Sequence, residues 1–191
     1  MLLTVFKALG ILLLPFLVFY GVGAVLQKAS HRSVVQAQLA QHPGPDAKPL
    51  NLRFKGYDLS AAKAYWGLLD REALGDERRF LELDLIFPFF YAGALAASLL
   101  LAWAWLGRPH PAVWVMLPPI LGALADWCEN LLQHRELQRF LAEPPLPLSA
   151  TALRIAGFAT QAKLVVLAFG FHLLLFLVVV AAVKAIKGGP G

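Results

Sequence analysis

Four long apolar stretches dominate the pattern of hydrophobic and polar positions: residues 2–26, 85–106, 112–132 and 164–186. Each reaches the roughly 20 residues a helix needs to cross the hydrocarbon of a bilayer. The expected fold is all-α, a bundle of four transmembrane helices forming a single membrane domain over residues 1–191.

The polar punctuation predicts the remaining elements. Pro15 interrupts the first run, which membrane helices tolerate as a kink. Gly21 and Gly23 offer a face for close packing. The run reads as a retained anchor. A cleaved leader, with Val22-Gly23-Ala24 as its small-residue site, fits less well, because the run is long and Lys7 is the single charge of its n-region. The stretch QHPGPDAKP at 41–49 reads as an exposed loop. Asp58 or Ser60 then caps a helix running to about Leu74, with Gly75 suited to the left-handed position beyond its end. In this segment Ala61, Tyr65, Leu68, Leu69 and Glu72 fall at helical spacing, with Trp66 beside them. Residues 59–74 are therefore expected to form an interfacial amphipathic helix between spans one and two, on the bilayer surface or on the bundle. Tyr57, Tyr65 and Trp66 would anchor it at the interface, or line a lipid-facing entrance.

Asp76 is expected to cap a second helix, with Glu77 in its first turn. No breaker precedes Pro88, so this helix should run straight into span two. Trp103 and Trp105 suit an interfacial belt at the far end. The tight turn at 107–111 makes spans two and three antiparallel neighbours. Pro118 and Pro119 should bend span three near its middle. EPPLPLS at 143–149 is an extended connection, and Ser149 can cap the last helix. The more polar residues 150–162 belong at the membrane surface or against the bundle.

Composition agrees with this class. The chain is 59% hydrophobic and only 15% charged, against about 25% charged in a soluble domain. Its mean hydropathy is +0.63. The single cysteine, Cys128, excludes an intrachain disulfide. In an apolar run it reads as a small packing residue, because burial suppresses the thiolate.

The net charge of +5 does not point to nucleic acid. Basic residues in a membrane protein set orientation and meet anionic head groups. The expected partners are membrane lipids and a membrane protein. Lys7, Arg108, Lys184 and Lys187 fall on the side of the termini. Lys28, Arg32, Arg71, Arg78, Arg79, Arg135, Arg139 and Arg154 fall on the side of the long loops, which this bias places in the cytoplasm.

The candidate chemistry lies at the edges of the apolar runs. A charge in hydrocarbon costs roughly 3 kcal/mol on insertion scales, so it calls for a partner, water or a function. Asp126, Glu129, Asn130, Gln133 and His134 follow one helical stripe. Asp84 and Tyr91 share a face of span two, and Thr160 and Lys163 share a face of span four. The topology brings all three patches to one leaflet boundary. Three carboxylates against one lysine leave an excess of negative charge. A protonated carboxyl, an arginine (Arg78 or Arg79) folded over the site, or a divalent cation on hard oxygen ligands would each offset it. The metal version has no HExxH, no paired cysteines and no DxxD tandem to support it. Haem is not expected, because two histidines on facing spans are needed and His172 alone is intramembrane. It should bond a neighbouring helix.

Two functions follow, and the sequence leaves open whether the protein is an enzyme. In the first, a polar pocket at one membrane boundary binds or modifies a lipid or amphiphilic small molecule. Asp84, Asp126 and Glu129 would serve as general acid/base groups and Lys163 as counter-charge. Tyr91, Asn130, Thr160, Arg78 and Arg79 would contact the ligand. In the second, the protein is a non-catalytic membrane-complex or assembly subunit. The same residues are then interhelical glue, each contributing about 0.6–2 kcal/mol. An ion path is less favoured, because the acids gather at one boundary.

D-x-x-F-P-x-x-Y at 84–91 and D-x-x-E-N at 126–130, the latter within PPILGALADWCENL, precede a Thr-x-x-Lys at 160–163. In these strings the chain resembles small bacterial four-span integral membrane proteins that lack an assigned activity. The resemblance implies the four-span architecture and a bacterial inner-membrane location. It brings no reaction or cofactor with it.

Overall fold

Among the described residues every regular element is helical. The structure is a computed structural model describing residues 2–42, 44–107 and 113–187. These residues form seven α-helices in order: α1 Leu2–Ala29, α2 Arg32–Leu39, α3 Leu59–Gly67, α4 Arg71–Asp84, α5 Phe87–Trp105, α6 Leu117–Leu141 and α7 Ala150–Lys187. Among the described residues three helical stretches are long and apolar enough to cross a membrane: α1, the α4–α5 stretch Arg71–Trp105, and α7. The third apolar run does not qualify, because α6 carries the polar stripe.

Several local expectations change. Asp58 does cap α3, accepting from Ala61 N at 2.9 Å. However, α3 stops at Gly67, so the expected 59–74 helix is divided. Asp70 caps α4, accepting from Ala73 N at 2.9 Å. Gly75 and Asp76 therefore lie inside a helix rather than at its ends. Pro118 and Pro119 fall in the first turn of α6, where a missing N–H costs no hydrogen bond. They set where α6 begins, rather than standing near the middle of a helix. The turn at 107–111 lies mostly outside the described residues. Ser149 caps α7 as expected, its Oγ accepting from Ala152 N at 3.2 Å. A Cβ added at Gly21 would meet nothing within 4 Å, and one added at Gly23 would meet only the Phe87 ring, at 3.8 Å. The two glycines therefore do not bring α1 into the close helix contact expected of them.

The hydrophobic core has two main parts. One lies where α2, α3 and α4 pack against the C-terminal half of α6 and the start of α7, and includes Val35, Tyr65, Trp66, Leu81, Leu137 and Leu153. The other lies within the apolar bundle and includes Ile11, Leu95, Leu99, Val115 and Leu174. The first amounts to a small helical cap with a core of its own. Tyr65 and Trp66 are fully buried in it, not turned outward as interfacial anchors. Arg32 and Glu77 form a buried ion pair in the cap, with the Arg32 guanidinium 4.2 Å above the Phe80 ring.

The loop before α3 is pressed directly onto α7. A Cβ added to Gly157 would lie 2.2 Å from Tyr57 O and 2.5 Å from Tyr57 N. Only glycine permits that approach. Gly56, at φ +70°, makes the turn from the other side. This contact fixes Tyr57 beside the polar cluster.

Candidate functional site

The cluster is built on a helix break. Pro88 has no N–H, so the Asp84 carbonyl loses its helical donor. Phe89 N bonds Ile86 O instead, at 3.2 Å, which frees the Leu85 carbonyl as well. Helix α6 supplies both missing donors. Trp127 Nε1 donates to Leu85 O at 2.8 Å, and Asn130 Nδ2 reaches Asp84 O at 3.4 Å. The helix expected to run unbroken from Asp76 into span two therefore breaks at Leu85–Ile86. The strings D-x-x-F-P and D-x-x-E-N are two halves of one unit.

The same Asn130 nitrogen donates to Asp84 Oδ2 at 3.0 Å and reaches Asp126 Oδ1 at 3.4 Å. Tyr91, one turn beyond Pro88, donates its hydroxyl to Asp126 Oδ2 at 2.9 Å. From α7, Lys163 Nζ lies 2.8 Å from Asp126 Oδ1 and 2.6 Å from Glu129 Oε2. Gln133 Nε2 donates to Glu129 Oε1 at 2.9 Å. The Thr160 hydroxyl bonds its own helix at Ala156 O, 3.1 Å. Tyr57 approaches Thr160 and Gln133 without an aligned hydrogen bond. Burial, and then the Glu129 carboxylate, push its phenol well above the usual tyrosine range.

Water is almost excluded. Glu129, Asn130 and Thr160 are 0% exposed, Asp126 2%, Asp84 6% and Lys163 8%. Asp84, Tyr91, Asp126, Glu129, Asn130, Thr160 and Lys163 therefore converge from α4, α5, α6 and α7. Arg78 and Arg79 do not join them. Both are exposed, and Arg78 pairs with Glu82 at 3.6 Å. His134 leaves the stripe and faces Glu82 at 3.2 Å. Asp84 forms no ion pair among the described residues, its carboxylate being held by Asn130.

Sequence reasoning missed two participants, Trp127 and Glu136, and placed a third, Tyr57, at the interface rather than beside the cluster. Trp127 serves the helix break and carries no stripe signal. Tyr57 is placed by two glycines distant in sequence. Glu136 is fully buried and accepts from Ser149 N at 2.7 Å, tying the start of α7 to α6. Glu136 lies one helical turn beyond Gln133, so extending the stripe would have found it.

Among the described residues no three His, Cys, Asp or Glu side chains converge to hold a metal ion. His172 bonds Ala168 O of its own helix at 2.7 Å, rather than a neighbouring helix. A cleft of about 300 Å³ lies between α5 and α6, lined by Pro88, Phe89, Ala92, Ala123, Leu124 and Trp127 among others. The cluster acids do not line it. Chemically, Lys163 is committed to two carboxylates and is not free as a nucleophile, and the acids face one another. The arrangement joins four helices through ion pairs and hydrogen bonds. Comparison with protein-family models, curated proteins and solved structures found no match.

Proposed function

We propose that the protein is an integral membrane protein of four spans, with α6 as the fourth. The helical cap and long loops lie on the cytoplasmic side. The low hydropathy of α6 is compatible with crossing, because Asp126, Glu129, Asn130 and Gln133 are buried while Ile120, Leu121, Leu124 and Leu131 are exposed. A helix can meet lipid on one face and polar partners on the other. Lys7, over the Trp105 ring at 5.0 Å, and Lys184, bonded to Leu106 O, mark the end opposite the cap. The larger basic set on the cap side supports its cytoplasmic placement. The resemblance in the D-x-x-F-P and D-x-x-E-N strings supports a bacterial inner membrane.

Within that frame the cluster acts as a polar lock at the membrane boundary, and the protein works as a non-catalytic subunit of a membrane complex or its assembly. The observation carrying this reading is Lys163 held between Asp126 and Glu129, with all three side chains withdrawn from solvent. A second reading keeps the lipid or amphiphile at this boundary, with Asp84, Asp126 and Glu129 as acid/base groups and Lys163 as counter-charge. It is favoured by the Asp84 carboxylate, which lacks a cation, and by the apolar cleft beside Pro88 and Trp127.

Glu129→Gln and Lys163→Met, purified in detergent, separate the two. The lock requires both variants to melt at lower temperature and accumulate poorly. Variants that fold and melt as wild type, yet lose a lipid retained through purification, would reject it for the second reading.

A further inference from the structure

His172 presents an unused hydrogen-bond acceptor on the outer face of α7, deep within its apolar segment. The Ala168 carbonyl can only accept, so the 2.7 Å bond puts the ring hydrogen on Nδ1. In the neutral imidazole Nε2 is then a bare acceptor. It has no hydrogen-bond partner among the described residues, and the side chain is exposed. A polar side chain facing hydrocarbon is costly to keep without a role.

The surroundings form a cleft rather than a flat wall. Leu12 and Phe16 of α1 and Phe171, Leu174 and Leu175 of α7 line, with His172, a space of about 290 Å³. The Phe16 and Phe171 rings pack with centroids 4.9 Å apart. That volume is near the lower end for small-molecule pockets.

Three features select the occupant. Nε2 demands a donor. Counting from Leu164 at about 1.5 Å per residue, His172 lies roughly 12 Å into the hydrocarbon, close to the middle of a layer about 30 Å thick. A phospholipid head group belongs at the surface and does not reach it. A partner helix would approach closely over small residues, whereas these walls are leucine and phenylalanine.

We propose that the α1–α7 cleft binds a membrane-dissolved phenolic lipid of the reduced isoprenoid quinone class, its ring against Phe16 and Phe171 and its hydroxyl donating to His172 Nε2. This rests on the membrane reading above and concerns binding alone.

The test uses full-length protein, labelled with nitrogen-15 histidine, in phosphatidylcholine nanodiscs. The probes are decylubiquinol, kept reduced without oxygen, and decylubiquinone, which has the same ring but no hydroxyl donor. The quinol should bind at one site, shift the His172 Nε2 resonance, and bind about tenfold more tightly than the quinone, as expected for one buried hydrogen bond. His172→Leu should reduce quinol binding to the level of the quinone. His172→Gln, which retains an acceptor, should recover part of the difference. Phe16→Ala should weaken both probes. Equal binding of the two probes, or unchanged quinol binding by His172→Leu, overturns the proposal. So does a dimer that His172→Leu disperses, since a partner helix then fills the cleft. All three variants alter exposed positions, and circular dichroism checks that they fold. Resistance to alkaline carbonate extraction is scored separately, so failure of membrane residence is not confused with failure of the site.

Discussion

Asn130 supplies to Asp84 what Pro88 takes away. One amide nitrogen lies 3.4 Å from the Asp84 carbonyl and 3.0 Å from the Asp84 carboxylate, at the point where α4 ends. The break in one helix is thus repaired by the side chain of another. Asn130→Ala should destabilise the bundle by about 1–3 kcal/mol, because buried acceptors lose their donor. Pro88→Ala restores a helical N–H to the Asp84 carbonyl. The double variant should therefore lose less than the sum of the single losses. A double-mutant cycle on unfolding in detergent reads the coupling, and strict additivity would show that the two residues act apart.

Lys163 faces two carboxylates at once, so its loss differs from the loss of either acid. Lys163→Met leaves Asp126 and Glu129 buried against each other and should cost about 3–5 kcal/mol, as for a broken buried ion pair. The triple change Lys163→Met, Asp126→Asn, Glu129→Gln removes the charges together and should recover much of that. Thermal melting of the purified proteins decides. A triple variant less stable than Lys163→Met alone would show that shape or hydrogen bonding, rather than charge balance, holds the cluster.

The inward stripe on α6 and its convergence with Asp84, Tyr91 and Lys163 were legible in the sequence, because helical period and span order suffice to bring them to one level. The cap was not. Tyr65 and Trp66 carry the signature of an interfacial anchor. Only the folding of α2, α3 and α4 over the ends of α6 and α7 turns them inward. Periodicity describes one helix at a time, and the cap core is a property of five. Likewise the break at Leu85–Ile86 depends on Trp127 and Asn130 being in place to accept the consequences of Pro88.

Asp58 gives the cap an acid-sensitive helix start. The Ser60 hydroxyl and the Ala61 N–H hold its carboxyl below the usual aspartate range. A carboxylate depressed in the folded state stabilises above its unfolded value, near 3.9. That contribution disappears as pH falls through the lower folded value. Asp58→Ala should cost about 0.5–2 kcal/mol at neutral pH, as for a lost cap, and should flatten the acid limb of cap stability. Amide exchange across residues 59–67, followed from neutral pH downward, measures both. An acid limb unchanged in the variant would assign the sensitivity to another carboxyl.

Gly157 offers the sharpest separation of cap from membrane bundle. A methyl group there would sit 2.2 Å from Tyr57 O and 2.5 Å from Tyr57 N, and both are backbone, so no side-chain rotation relieves the clash. The loop must lift from α7, carrying Tyr57 away from Glu129 and Thr160. Overpacking of this kind typically costs about 1–3 kcal/mol and occasionally more. Because Gly157 precedes the apolar part of α7, insertion should be unaffected. Gly157→Ala is therefore expected to reach the membrane at wild-type level while its 41–58 segment is cut faster by added protease. Gly170→Ala is the contrasting change. Its Cβ would meet Leu95 and Pro118 side chains at 3.1 and 3.2 Å, inside the bundle, and should leave cleavage of that segment unchanged. Equal protection of the segment in Gly157→Ala and wild type would mean that the loop is not held on α7 through this contact.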